Sequence, residues 1–406
     1  MTTTMMKMTA TTPSNCATFS DGPVDSLKEN GDPFPKDELQ EEIDKLSDSA
    51  SKPGIAERLR SIRTREEALK LPTRLRLGWF ANLTIKHAEL ERVLKDVGEL
   101  LSSGNGCQII PIIGMTRIGK STLMGKALLE LIHAYVGPVA IHELPFLVVE
   151  VPSTGDHRRS WAALFHEILQ AGKEPLIEVK KTVQTSKVGG LSVLATQKAK
   201  GVDGLRQFIK QMLVNRNIRV IVIDEAVHLK KYGDSESTMN ALKSMASVNS
   251  TTKLLLLGSF DLLGMVTGLD QVVSRGSIVH FRRYAIGRKE ATMTKDERAF
   301  YRCVVKLENL WPWESKPQLT KNWRKIGLAC WGSIGALKTL AMRLLILQSR
   351  SKDGVLTKEM WMKASMPKEA VKTIEAWVVN GEKAIEGWEY GSGAFDPDEL
   401  EDLVAA

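Results

Sequence analysis

Cysteine is scarce in this chain: four thiols, at positions 16, 107, 303 and 330, are scattered over 406 residues. That excludes a disulfide framework, and none of the four has a neighbour at zinc-ligand spacing. Stability must therefore come from a buried core, and a reducing compartment fits. Aromatic residues make up only 6% of the chain, and there are seven histidines. No apolar run approaches the roughly 18 residues a membrane helix needs. The first 19 residues hold one lysine and no continuous apolar stretch, unlike a secretory signal. No internal repeat is visible. The expectation is a cytoplasmic protein with no membrane contact.

What is present is charge, unevenly placed. The formal net charge is +8. Residues 1–52 carry ten acids against five lysines, and residues 381–406 carry eight acids against Lys383. Residues 53–380 therefore carry a net +20. A basic body between two acidic ends points to a polyanion, foremost nucleic acid. The competing reading is a solvated basic surface that keeps the protein soluble.

The pattern along the chain divides it into five parts. Residues 1–52 lack apolar periodicity and are expected to be a mostly disordered acidic arm, with a short helix at 36–46. Residues 53–103 read as helices: a basic stretch from Ile55 to Arg76, interrupted at Pro72, then an amphipathic helix at 85–102. Residues 104–288 alternate apolar strands, at 108–113, 146–151, 219–223, 253–258 and 277–282, with helices of 10 to 15 residues. That rhythm predicts an α/β fold with a parallel sheet and crossover helices. The lysine-rich stretch 173–201 reads as a loop or hairpin insertion. Residues 289–380 read as an α-helical lid, and 381–406 as an acidic tail.

The strongest motif is Gly114-Met115-Thr116-Arg117-Ile118-Gly119-Lys120-Ser121-Thr122, after an apolar strand and at the start of a helix. Glycines at this spacing let backbone N–H groups curl around phosphates, with the helix N-terminus adding positive potential. Lys120 would reach the β- and γ-phosphates, and the Ser121 hydroxyl would ligate Mg²⁺. About a hundred residues on, Asp224-Glu225 ends a second buried strand. Asp224 is placed to hold Mg²⁺, and Glu225 to polarise the attacking water. Ser259, after the strand at 253–258, is a candidate sensor of the γ-phosphate. His228 lacks a partner at ligand spacing and reads as a capping or packing residue. Trp311, Trp313, Trp323 and Trp331 read as the core of a small helical domain.

These motifs, in this order and before a helical domain, resemble the AAA+ ATPases. Further segments narrow the resemblance: Asp224-Glu-Ala-Val-His228-Leu229, Gly258-Ser-Phe-Asp-Leu-Leu263, Ser274-Arg275, His280-Phe281-Arg282-Arg283-Tyr284 and Gly332-Ser-Ile-Gly335-Ala-Leu-Lys338. Over roughly residues 75–350 they are similar to the TniB/TnsC family, the target-selection ATPases of bacterial DNA transposons. The resemblance implies a P-loop AAA+ domain with a small helical lid, binding ATP and Mg²⁺ between neighbouring subunits. It implies a ring or helical filament on double-stranded DNA, with about six or seven subunits per turn. It also implies contact with a transposase on one side and a target-selection protein of the TniQ/TnsD type on the other, in the bacterial cytoplasm at the nucleoid. Arg275 is its first choice for the arginine supplied to a neighbour's site, with Arg282 and Arg283 as alternatives. At the second sensor position, where the wider superfamily places an arginine, this chain offers Lys338.

No helix-turn-helix, zinc-finger or RRM signature is present, which favours sequence-independent phosphate contact. In the resembled family the DNA-facing elements follow the second strand. Here that segment holds Thr154, His157, Arg158 and Arg159, then Lys173, Lys180, Lys181 and Lys187. Two other readings stand beside this one. The first is a helicase-loader-like or STAND-type signalling ATPase that acts through protein partners. The second is a DNA-coating scaffold that binds ATP and scarcely turns it over.

Overall fold

A computed structural model describes residues 37–102, 107–120, 128–140, 142–152, 157–174, 181–188, 191–198, 202–247, 252–268, 278–288 and 292–388. Among these, seven strands form: β1 (Ile109–Gly114), β2 (Phe146–Glu150), β3 (Lys181–Val188), β4 (Leu191–Lys198), β5 (Val220–Asp224), β6 (Lys253–Gly258) and β7 (Val279–Phe281). Five make one parallel sheet in the order β2-β5-β6-β1-β7, and β3 and β4 make a separate antiparallel hairpin. Every residue of β1 and β6 is buried, and Val220–Ile223 of β5 are fully so. Runs that are apolar on both faces are stable only between helix layers, as parallel crossovers require. Pro111 sits in β1 although it has no N–H. The Leu254 N–H bonds to the Gln108 carbonyl, which puts even-numbered residues of β1 toward β6. Pro111 therefore faces β7, whose pairing starts only at Ile112.

Four N-terminal helices precede the sheet: α1 (Glu38–Ser51), α2 (Pro53–Ser61), α3 (Arg65–Leu69) and α4 (Thr73–Ala81). Then come α5 (Ala88–Ser102), α6 (Leu128–Val136), α7 (His157–Ala171), α8 (Val202–Asn215), α9 (Ser235–Ala246) and α10 (Leu263–Val266). The C-terminal helices are α11 (Lys295–Asn309), α12 (Trp323–Ala329), α13 (Ile334–Arg350), α14 (Lys358–Ala364) and α15 (Lys368–Glu386). No single described helix is long and apolar enough to cross a membrane.

The structure differs from the sequence reading at both ends. Within the stretch expected to be a mostly disordered arm, α1 runs to Ser51 and packs on α4 and α13. Asp37 caps it by accepting from the Gln40 N–H, and the same carboxylate receives both terminal nitrogens of Arg343, at 2.7 and 2.6 Å. That guanidinium holds the Asp37 carboxyl below the usual carboxylate range. At the other end α15 continues to Glu386, past residue 380 where the acidic tail was expected to begin, because Ile385 is buried and Glu382 pairs with Arg283. Residues 1–36 and 389–406 lie outside the described residues. Two of the four tryptophans expected in the core are there: Trp311 is fully buried edge-on to Phe80, with its indole N–H on Gln348 at 2.8 Å, and Trp331 is buried, while Trp313 and Trp323 are half-buried against the core's edge.

Candidate nucleotide site

The C-terminal ends of the parallel strands bring the motif residues together. β6 lies between β1 and β5, with Ile113 opposite Gly258 and Ile223 opposite Leu256. Ser259 therefore emerges between the loop after Gly114 and the acids at Asp224 and Glu225. Gly114 is required by packing, since a Cβ there would lie 2.7 Å from the Phe281 carbonyl. Beyond it the loop turns through Arg117 at φ 61° and Gly119 at φ 117°, left-handed conformations of which the second suits glycine alone. Lys120 is buried, and its Nζ donates to the carbonyls of Gly114 and Met115, at 3.0 Å each. The ammonium thus lies across the loop it would share with a phosphate. Ser121 and Thr122 lie outside the described residues.

At the end of β5, the Asp224 carboxylate accepts from the Glu225 N–H at 2.9 Å. Glu225 has φ 49° and ψ 38°, a conformation that costs a non-glycine residue energy and redirects the chain sharply into a 3₁₀ turn over Ala226–Tyr232. Ser259 is buried, and its hydroxyl donates to Asp261 at 3.2 Å. His228 sits in that turn with its backbone N–H on the Glu225 carbonyl, and burial lowers its basicity. Among the described residues no cluster of His, Cys, Asp and Glu able to hold a metal surrounds it.

The lid closes on the loop backbone to backbone. Ser333 caps α13, and its hydroxyl donates to the Arg117 carbonyl at 2.8 Å. Gly335 leaves no room for a side chain: a Cβ would lie 1.9 Å from the Arg117 carbonyl oxygen. Gly332 has φ 72°, and a Cβ there would lie 1.8 Å from the Tyr284 carbonyl oxygen. The Gly332-Ser-Ile-Gly335 segment is thereby explained by contact distance alone.

Beside this contact is a small cavity of about 30 Å³ that the motifs did not announce. Its walls are Ile118 and Gly119 of the loop, Ile334 and Lys338 of the lid, and Leu83, Ile85 and His87 of the segment joining α4 to α5. It is mostly apolar and lies next to the phosphate loop. His87 is held neutral, its pKa down to about 4, by burial and then by the Lys306 charge. Its Nδ1 lies 3.4 Å from the Leu90 N–H that donates to it and 3.0 Å from the Tyr284 hydroxyl. Nδ1 is thus the acceptor and Nε2 carries the proton. Lys338, expected at the nucleotide, lines the pocket with its stem, while its Nζ donates to the Ala81 and Leu83 carbonyls. Burial lowers its pKa to about 8. Its ammonium ties the lid to the α4–α5 segment.

The remaining sequence candidates are dispersed. Arg283 makes a two-pronged pair with Glu382, at 2.8 and 2.9 Å, and Arg282 reaches Glu89 at 3.3 Å while staying half-exposed. Arg275 lies outside the described residues, as do Thr154 and Lys180. Arg158 and Arg159 fall in the first turn of α7, Lys173 is exposed just after α7, and Lys181 and Lys187 lie on β3. In the basic N-terminal stretch, Arg65 donates to the carbonyls of Trp311 and Trp313, and Arg76 stacks on Trp313. Both arginines act there as internal ties.

Residues 103–266 match the AAA domain family. The fold is that of an AAA+ P-loop domain followed by a helical region. Among solved structures, a Walker-type ATPase of Pyrococcus abyssi aligns with 73% of this chain and 75% of its own, at 13% identity and a TM-score of 0.38. Cdc6p from Pyrobaculum aerophilum aligns over 80% and 87%, at 13% identity and a TM-score of 0.39. No curated protein matches the chain.

Proposed function

We propose that this AAA+ protein is an ATP-driven switch that assembles on double-stranded DNA and links a target-recognition factor to a transposase. The observation that carries the ATPase part is the meeting of Lys120, Asp224, Glu225 and Ser259 at the ends of three neighbouring strands, with the lid pressed on the loop. The net +20 of residues 53–380 supports a duplex partner. The likeness of five short segments to the TniB/TnsC family supports the transposition role.

The donor set fits a magnesium nucleotide: a glycine-turned loop with a lysine across it and a carboxylate pair at the next strand but one. Asp224 and Ser121 would hold Mg²⁺, which when bound neutralises phosphate charge. Glu225 takes the proton of the attacking water, and Lys120 stabilises charge on the γ-phosphate. A neighbouring subunit's arginine completes the site, with Arg275 or Arg282 the candidates because Arg283 already grips Glu382. Ser333 and Gly335 leave no slack between loop and lid, so a shift at Arg117 moves α13. That helix also carries Arg343 and Arg350, which grip Asp37 and Glu42 of α1. The nucleotide state thus reaches the N-terminal helix through one rigid rod.

The test is electron microscopy of the purified protein with duplex DNA and a slowly hydrolysed ATP analogue. Rings or filaments on the DNA are expected with the analogue, and far fewer with ADP. A protein that stays monomeric under every condition would overturn the proposal.

A further inference from the structure

Arg343, which grips Asp37, is also a wall of a cavity that the nucleotide site does not use. That cavity, of about 80 Å³, lies between α12, α13 and the start of α15, with Arg117 of the phosphate loop as another wall. Its lining is mostly apolar and includes Cys330, Leu340, Met366 and Val371. A pocket for a cofactor takes roughly 300 Å³ or more. A closed cavity of about 150 Å³ holds a whole benzene. A space of half that size suits one ring entering by its edge, and Met366 adds a thioether that favours an aromatic neighbour.

The chain enters α1 at this same place. Asp37 accepts from Arg343 through both carboxylate oxygens, and Arg343 also donates to the Ala364 and Lys363 carbonyls, at 2.9 and 3.3 Å. Arg343 foremost, with Arg117 adding to it, holds the Asp37 carboxyl below its usual range. Phe34 stands three residues before Asp37, a span of at most about 10 Å. Among residues 28–36 it is the one large apolar side chain. Pro33 and Pro35 flank it. They disfavour helix there, which lowers the entropy cost of docking an extended segment.

We propose that Phe34 seats its ring in this cavity, so that the N-terminal arm braces the helical lid against the phosphate loop. Arg117 belongs to the loop and Arg343 to α13, and an occupant touching both walls ties the two together. The inference holds whether or not the protein acts on DNA. The C-terminal tail carries a rival: Phe395 stands before Asp398-Glu399-Leu400 at the spacing of Phe34 before Asp37-Glu38-Leu39. Because Asp37 already occupies Arg343, the cavity is assigned to the arm.

Cys330 is a reporter already in place, since it is buried and lines the cavity, whereas Cys107 and Cys303 are buried elsewhere. Burial pushes its thiol up to about 12, so alkylation must await local opening. The experiment follows iodoacetamide alkylation of the three thiols in the full-length protein by peptide mass spectrometry. Phe34→Ala is expected to speed alkylation of Cys330 about tenfold, the effect of one buried ring on a local opening equilibrium. Cys107 and Cys303 are expected to keep their wild-type rates, and Phe395→Ala to change none of the three. A wild-type rate at Cys330 in Phe34→Ala would overturn the proposal. So would a rise shared by all three thiols, which means general loosening, or a rise at Cys330 with Phe395→Ala in place of Phe34→Ala, which puts the tail in the cavity.

Discussion

The described residues form two sheets, and they are opposites. The five-stranded sheet is parallel and apolar on both faces, with its central strands wholly buried. The hairpin is antiparallel, pairs with no strand of the first sheet, and carries three lysines and no acid in its two strands. The first is shaped by the demand that backbone groups and side chains leave water together. In this fold the candidate nucleotide-site residues Lys120, Asp224, Glu225 and Ser259 gather at the strand ends of the large sheet.

That contrast can be broken most forcefully by removing bulk from each sheet. Leu255→Ala, at the centre of the buried ladder, is expected to cost about 3 kcal/mol in guanidinium denaturation. Leu194→Ala in the hairpin should stay within about 0.5 kcal/mol. Equal losses would mean that the hairpin is part of the core.

Most of the large sheet was legible because burial on both faces leaves continuous apolar runs, as at Ile218–Ile223 and Leu254–Leu257. The phosphate loop was legible because its backbone geometry requires glycines at fixed spacing. The small cavity beside the loop was not: Leu83, Ile85 and His87 sit in a connecting segment, and only tertiary packing brings them to Ile118. The docking of α1 was missed because its acids dominate the composition. Yet Leu39, Ile43, Leu46 and Ala50 recur at helical spacing on one side, and that stripe was the available signal. The role of Lys338 could not be read at all, since its carbonyl partners lie more than 250 residues away.

A second test separates the sheet's catalytic edge from the hairpin. Gly335→Ala forces a Cβ against the Arg117 carbonyl, so ATP affinity should fall at least tenfold, about 1.4 kcal/mol or more. Lys181→Gln/Lys187→Gln/Lys198→Gln in the hairpin should leave ATP affinity unchanged by calorimetry. Acid offers a third comparison. His87 and His280 are held neutral by burial, with pKa values of about 4 against an ordinary 6.5. Between those values the unfolded chain binds the protons and the folded one does not. Stability is therefore fully present above pH 6.5 and falls as pH drops toward 4, by about 1.4 kcal/mol per pH unit for each histidine at most. Denaturation midpoints across this range check it, and His280→Phe should flatten the slope.

The smallest expected effect is at Lys338. Lys338→Met removes two hydrogen bonds to the α4–α5 segment and should weaken ATP binding about fivefold, with little change in the rate of hydrolysis at saturation. A phosphate-sensing lysine would instead slow hydrolysis at unchanged affinity.

The central claim is that ATP binding assembles the protein on DNA and hydrolysis releases it. Light scattering with duplex DNA and ATP, comparing Lys120→Ala with Glu225→Gln, tests it most directly. Lys120→Ala should form no DNA-bound assemblies, and Glu225→Gln should form assemblies that outlast the wild type's. Assemblies that form equally with Lys120→Ala, or that dissolve as fast with Glu225→Gln as with the wild type, would contradict it.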